Sequence, residues 1–407
     1  MNCRHCKTVL EHTFLDLGFA PPSNAYLSTE QLNCPETYFP LKVKVCSKCW
    51  LVQTEDYTQA DDLFREDYAY FSSTSTGWLK HAAKYCSDIT KRLGLTSDSF
   101  VIEVASNDGY LLKNFVAENV PCLGIEPTAG TAAAAEKIGI PVLKEFFGEA
   151  LGKKLAQSGK SADLVAGNNV YAHVPDINDF TAGLAAILKP EGTITLEFPH
   201  LMQLIEHNQF DTIYHEHFSY LSLHTVTQIF ATCGLRIYDV EQIPTHGGSL
   251  RIFGCHTDDS KTASVAVAQI LEAEQSAGLQ DLKTYLQFQQ RADRVKNDFL
   301  NFLIEQKTAG KKVVAYGAAA KGNTLINYAG VKPDLLPSVA DAATSKQNKF
   351  LPGSHIPVVA PEVLVHEKPD YVIILPWNIA QEVMIAQKDL TTSGCRFVTF
   401  VPQLKVH

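Results

Sequence analysis

Between residues 76 and 260, short apolar runs recur with room for one helix between each pair. "SFVIEVAS", "CLGIEP", "ADLVAGNNV" and "GTITLEF" are separated by amphipathic stretches such as "YLLKNFVAEN" and "TAAAAEKIG". A strand that is apolar on both faces must be covered on both, and a helix between two such strands makes the crossover between parallel neighbours. The pattern therefore predicts βαβ units around a mainly parallel sheet. A long helical segment is expected over residues 264–307, where apolar side chains fall three and four apart. Beyond it, "KKVVAYGAAAKGNTLINYAG", "LPSVADAA" and "DYVIILPW" open a second α/β run. The first 75 residues differ, being rich in Cys, Pro and short turn-like segments. Three domains are expected, at 1–75, 76–260 and 261–407, and 407 residues suffice for them.

A content of 45% hydrophobic and 19% charged residues describes an ordinary globular protein. The net charge of −9 argues against nucleic acid or an anionic membrane as the main partner, because both favour basic faces. No apolar run reaches the length of a membrane span, and "MNCRHCKTVLEHT" has no signal-peptide core, so the cytoplasm is the expected location. Nothing in the sequence fixes an oligomeric state.

Four of the ten cysteines form two pairs, Cys3/Cys6 in "CRHC" and Cys46/Cys49 in "CSKC". Two intervening residues let both thiolates of a pair face one ion, and four thiolates close a tetrahedral zinc site. A closed site leaves no open coordination position, so the zinc is expected to hold a small coreless domain together. The alternative is a pair of redox CxxC motifs, although neither follows a strand and opens a helix as such motifs do. His5 lies inside the first pair and leaves a ligand swap open.

"FVIEVASNDGYLL" has the form of a buried strand, a tight turn and a helix start. Ser106, Asn107 and Gly109 suit the turn, with Gly109 expected to let backbone approach a ligand. Glu126 ends the next strand some twenty residues on, where an acidic side chain can hold both hydroxyls of a ribose. The G-x-G-x-x-G fingerprint of dinucleotide sites is absent, which favours S-adenosylmethionine over NAD. Asn168 and Asn169 follow the presumed fourth strand, at the methionine end of such a site, with His173 close behind.

"FDTIYHEHFSY" places Tyr214, His215, Glu216 and His217 in a row. Adjacent residues cannot all face one ion, and the HExxH spacing is missing. In an extended segment His215 and His217 would share one side, with Tyr214 and Glu216 on the other. Methylating a saturated carbon requires a neighbouring carbonyl, a base for the α-proton and donors for the enolate. Histidine titrates in the right range for the base, tyrosine or a second histidine can serve the oxygen, and glutamate can orient an imidazole.

Taken together, "FDTIYHEHFSY", "VASNDGYLL", "NNVYAH" and "HGGSLRIF" resemble the sugar C-methyltransferase family of bacterial deoxysugar biosynthesis. The resemblance spans essentially the whole chain. It implies an N-terminal zinc domain, a Rossmann-like S-adenosylmethionine methyltransferase domain and a C-terminal Rossmann-like α/β domain. It further implies methylation at C3 of a nucleotide-linked 4-keto-6-deoxy sugar in a site between the domains. The catalytic set carried over is Tyr68, His173, Tyr214, Glu216 and His217. His217 is expected to be the base with Tyr214 as its rival, and His173 or Tyr68 to hold the enolate oxygen. His215 is expected to turn away from the substrate.

"VVAYGAAAKGNTL" is a strand, a glycine turn and a helix start, and matches neither a Walker A loop nor a dinucleotide fingerprint. In the family this domain helps hold the nucleotide diphosphate, which makes Lys321 and Asn323 substrate candidates. Arg251 in "GGSLRIF" joins them, since its planar guanidinium suits a phosphate or sugar oxygen. Rival readings are a sugar O- or N-methyltransferase, an NAD-dependent nucleotide-sugar reductase or epimerase, and a non-catalytic scaffold.

Overall fold

The computed structural model describes residues 1–55 and 71–407. The chain first lays down β1 (His12–Ala20), β2 (Phe39–Val45) and β3 (Val52–Thr54). The middle strands are β4 (Val101–Val104), β5 (Cys122–Ile125), β6 (Val142–Leu143), β7 (Ala162–Asn168) and β8 (Leu188–Pro199). They are followed by β9 (Ser219–Tyr220), β10 (Leu235–Ile243) and β11 (Ser249–His256). The last are β12 (Val313–Tyr316), β13 (Val339–Ala340), β14 (Val358–Val359), β15 (Tyr371–Ile374), β16 (Arg396–Thr399) and β17 (Lys405–Val406).

The central sheet has the order β10-β11-β8-β7-β4-β5-β6. Strands β6, β5, β4, β7 and β8 run parallel, and β11 inserts antiparallel between β8 and β10. All four residues of β4 and of β5 are buried, as strands covered on both faces require. One covering helix is Thr76–Leu93. Ser75 starts it by accepting from the Trp78 N–H, and Gly94 ends it in the left-handed conformation. Its buried residues Ala82, Tyr85, Cys86 and Ile89 repeat at the three- and four-residue steps of one helical face.

The C-terminal sheet has the order β14-β13-β12-β15-β16-β17 and is parallel except for β17. The expected long helix before it is three helices, Val265–Ser276, Leu282–Leu286 and Phe288–Thr308. Gly278, at φ +80°, breaks the first, and Asp281 caps the second by accepting from the Lys283 N–H.

The N-terminal sheet is antiparallel, in the order β1-β2-β3-β9. Its last strand comes from within residues 76–260, so the chain's beginning is woven into its middle. The sheet is also not coreless, contrary to expectation. Phe14 stacks on Phe288 with ring centroids 4.7 Å apart, and Phe14, Leu15 and Val43 share one buried cluster with the C-terminal strands. Cys3, Cys46 and Cys49 pack instead into the core of the central sheet.

Candidate active site

In open α/β sheets, ligands bind outside the carboxyl ends of the strands, where the strand order reverses. The central sheet reverses between β4 and β7, and a cavity of about 650 Å³ opens there. Val104, Ala105 and Asn107 at the end of β4, Ile125 to Thr128 at the end of β5 and Asn168 to Val170 at the end of β7 contribute to its wall. The opposite wall comes from the C-terminal sheet, through Ala319 to Lys321, Pro376 and Asn378. The parallel strands of two sheets thus present their carboxyl ends to one space.

The turn after β4 has Ala105, Asn107 and Gly109 all at positive φ. Glu126 spans its base, accepting from the Asn107 N–H and the Thr128 N–H at 2.9 Å each. Asn107, Glu126, Asn168 and Asn169 all line the cavity. Both side-chain polar atoms of buried Asn168 lack a partner among the described residues, which a polar ligand would correct. Ser106 and Gly109 do not line the cavity. A Cβ on Gly109 would meet Ile140 Cδ1 at 2.3 Å and Ala135 Cβ at 3.1 Å. That glycine serves the turn and its packing against the helix Ala129–Lys137 and Ile140, not the approach of backbone to ligand.

The segment Tyr214 to His217 does not adopt the extended alternation expected of it. A turn closes through a 2.9 Å bond from the His217 N–H to the Tyr214 carbonyl. This brings the Tyr214 and His217 rings to 4.0 Å on one side. Tyr214, Glu216, His217 and His173 line the cavity, with the His173 and His217 rings 4.6 Å apart. His215 turns away to the Pro40 carbonyl, at 3.2 Å from Nε2. Glu216 Oε1 accepts from Asn24 Nδ2 at 2.7 Å. The group that orients His217 is the Thr212 carbonyl, 2.8 Å from Nδ1. A carbonyl only accepts, so Nδ1 carries the hydrogen and Nε2 keeps its lone pair. Burial, reinforced by His173, holds the His217 pKa well below 6.5, and burial lowers that of His173 to about 4. Both imidazoles are neutral at neutral pH. Tyr68 lies outside the described residues.

The substrate candidates separate. Lys321 lines the cavity, held by Asn378 Oδ1 at 2.7 Å and lying over the Trp377 ring. Asn323 is buried behind it, donating to the Ser23 carbonyl at 2.6 Å. Arg251 is also removed from the cavity wall, because Glu197 and Glu241 hold its guanidinium at 2.9 and 3.1 Å. The "LRIF" run made this arginine visible, but only the fold shows that β8 sets Glu197 against it.

Sequence reasoning missed His246, Trp78 and Lys346, all lining the cavity. His246 stacks on Trp78 at 5.4 Å and has φ +56°. The signal for it was present in "THGGS": a histidine before two glycines at a strand start marks a tight turn aimed at something.

The sulfurs of Cys3, Cys6, Cys46 and Cys49 lie within 4.8 Å of one another. Tetrahedral zinc with bonds of about 2.3 Å spaces its sulfurs by about 3.8 Å, so the four fit one ion. Separations of 3.5 Å join Cys3 to Cys49 and Cys6 to Cys46. Contacts across the two knuckles suit a shared metal better than a disulfide within either CxxC. His5 is not part of that group, and its Nδ1 lies 2.9 Å from Asn178 Oδ1.

Residues 3–64 match a zinc binding domain family, 78–240 a methyltransferase domain and 244–402 the C-methyltransferase C-terminal domain. The chain is 34% identical over 404 residues to C-methyltransferase NovU of Streptomyces niveus, covering 98% of this chain and 96% of that relative. The chain belongs to the C-methyltransferase family. Among solved structures, magnesium protoporphyrin IX methyltransferase of Synechocystis, with bound SAH, is 13% identical at a TM-score of 0.36. The match covers 44% of this chain and 84% of that one. An S-adenosylmethionine-dependent methyltransferase of Thermotoga maritima is 16% identical at a TM-score of 0.38, covering 49% and 100%. As a C-methyltransferase the chain uses S-adenosylmethionine and carries zinc, and the unpartnered Asn168 and the four-sulfur cluster fit the two groups. Among the described residues no helix is long and apolar enough to cross a membrane.

Proposed function

We propose that this C-methyltransferase acts on C3 of a nucleotide-linked 4-keto-6-deoxyhexose in branched-chain deoxysugar biosynthesis, with His217 as the base. The observation that carries this reading is the 2.8 Å bond between His217 Nδ1 and the Thr212 carbonyl. It leaves Nε2 as the basic atom of an imidazole that burial keeps neutral. A neutral imidazole facing a cavity is what removal of a C–H proton next to a ketone requires.

His217 Nε2 takes the C3 proton, and the C–H electron pair moves into the C3–C4 bond as the ketone oxygen becomes an enolate. His173, 4.6 Å away between ring centres, and Tyr214 donate to that oxygen in this reading. S-adenosylmethionine, when bound, supplies a methyl group on a positively charged sulfur. That methyl carbon would accept the C3 electron pair, with the S–CH3 pair left on sulfur. Asn107, Glu126, Asn168 and Asn169 hold the donor across the ends of β4, β5 and β7, so that positioning supplies much of the acceleration. Lys321, joined by Lys346, offers the nucleotide diphosphate its cations from the C-terminal wall. The cytoplasm, which supplies both nucleotide sugars and the methyl donor, is the proposed location.

The experiment supplies isotope-labelled methyl donor and a panel of nucleotide-linked 4-keto-6-deoxyhexoses, then reads the product by NMR. A labelled methyl bonded to carbon beside the ketone is expected. A label on oxygen or nitrogen would refute the C3 assignment.

A further inference from the structure

Arg4 stands between two zinc ligands, in the first knuckle, and is only 7% exposed. Its guanidinium reaches away from the metal. Nη1 donates to the Pro175 carbonyl at 2.7 Å and Nη2 to the Thr54 carbonyl at 3.0 Å, while the group lies over the Phe218 ring at 5.3 Å. Pro175 is two residues beyond His173, and Phe218 directly follows His217. The same two segments bond to each other through the Phe218 N–H and the Ala172 carbonyl at 2.8 Å. Thr54 completes the cross-link, donating its N–H to the Phe218 carbonyl at 3.1 Å and its hydroxyl to the His217 carbonyl at 3.3 Å.

The zinc end of this arrangement is equally defined. The Arg4 N–H donates to Gln53 Oε1 at 2.8 Å, and Gln53 Nε2 donates to Cys3 Sγ at 3.3 Å. Gln53 pairs with Ser219 in the ladder between β3 and β9. An unbroken run of bonds therefore leads from a metal ligand to the backbone beside both cavity histidines.

We propose that Arg4 is a positioning residue for proton abstraction, setting the separation and orientation of His173 and His217 from the zinc knuckle. The planar fork of arginine suits this task because it engages two carbonyls in fixed directions, which a lysine ammonium on a flexible stem does not. The zinc thereby fixes the geometry of the base as well as the fold of its own module. This inference rests on the reading of His217 as the base.

The test uses full-length, zinc-loaded Arg4→Met and Arg4→Lys proteins. Zinc content, S-adenosylhomocysteine affinity, the tautomer of His217 by NMR of nitrogen-labelled histidine, and exchange of the substrate C3 hydrogen with deuterated water are measured. Arg4→Met should keep its zinc and bind S-adenosylhomocysteine normally. Its C3 exchange should fall by about 10- to 100-fold, the scale expected for a small misplacement of a reacting group. The His217 signal should lose its single Nδ1–H form. Arg4→Lys, which keeps stem and charge, should fall between it and wild type, and decides the matter if Arg4→Met does not fold. Normal exchange with an unchanged His217 signal would overturn the proposal. So would a loss of exchange that tracks zinc loss and is restored by added zinc. If wild type shows no C3 exchange but Arg4→Met still alters the His217 tautomer, the positioning role stands and the base assignment falls.

Discussion

His217 differs from an ordinary surface histidine in two measurable ways. The Thr212 carbonyl fixes its tautomer, and burial keeps its pKa below 6.5. In the proposed reaction protonation would remove the lone pair that accepts the C3 proton, so turnover should be level around neutral pH and decline only as pH falls below 6.5. A pH profile of kcat checks this, and an acidic limb centred above 7 would contradict it. His217→Ala should lower kcat by about 10²- to 10⁴-fold while leaving S-adenosylhomocysteine binding intact, the usual contribution of a positioned general base. Tyr214→Phe should retain C3 exchange, which separates the tyrosine from its role as rival base. At this scale the sequence pointed to residues that the fold brings to one cavity, Tyr214, Glu216, His217 and His173, but not to who orients whom. Glu216 was the expected partner for an imidazole, yet the orienting atom is a main-chain carbonyl at Thr212. Backbone atoms have no letter in a sequence, so no motif could have pointed to it.

At the scale of elements, glycine turns hold the cavity's walls. Gly247, at φ +89°, lies where a Cβ would meet Trp377 Cη2 at 2.4 Å and Gln209 Nε2 at 2.7 Å. Gly247→Ala should therefore destabilise the protein by about 1–3 kcal/mol and weaken the contact between the β10–β11 turn and the C-terminal domain. A urea titration monitored by tryptophan fluorescence measures it. Strands β4, β5, β7, β8, β12 and β15 were legible because a fully buried strand writes itself as a short apolar run. The segment around Tyr214 was not. Its alternation suggested an extended strand, and a four-residue turn replaced it because that segment has to present Tyr214 and His217 together. The break of the long helix at Gly278 was signalled by the glycine itself, inside a pattern whose periodicity was otherwise continuous.

Over the whole molecule, the zinc knuckle is buttressed by two cores at once. Its cysteines pack into the central sheet, while the strands beside it pack against the helix Phe288–Thr308. Structural zinc binding is worth about 10–16 kcal/mol, comparable to the stability of an entire domain. Chelation should accordingly lower the Tm of the full chain and abolish C3 exchange together, as differential scanning calorimetry and an exchange assay would show. The α/β fold class and the four-cysteine cluster were readable from apolar periodicity and cysteine spacing. The joining of β9 to β3 and the withdrawal of Arg251 behind Glu197 were not, because each depends on partners far apart in the chain. The central claim is that His217 generates an enolate at C3. Its most direct test incubates the protein with a nucleotide-linked 4-keto-6-deoxyhexose and S-adenosylhomocysteine in deuterated water. Deuterium entering C3 with wild type but not with His217→Ala is the predicted result. Methyl transfer to oxygen or nitrogen under the corresponding conditions with S-adenosylmethionine, without deuterium at C3, would contradict it.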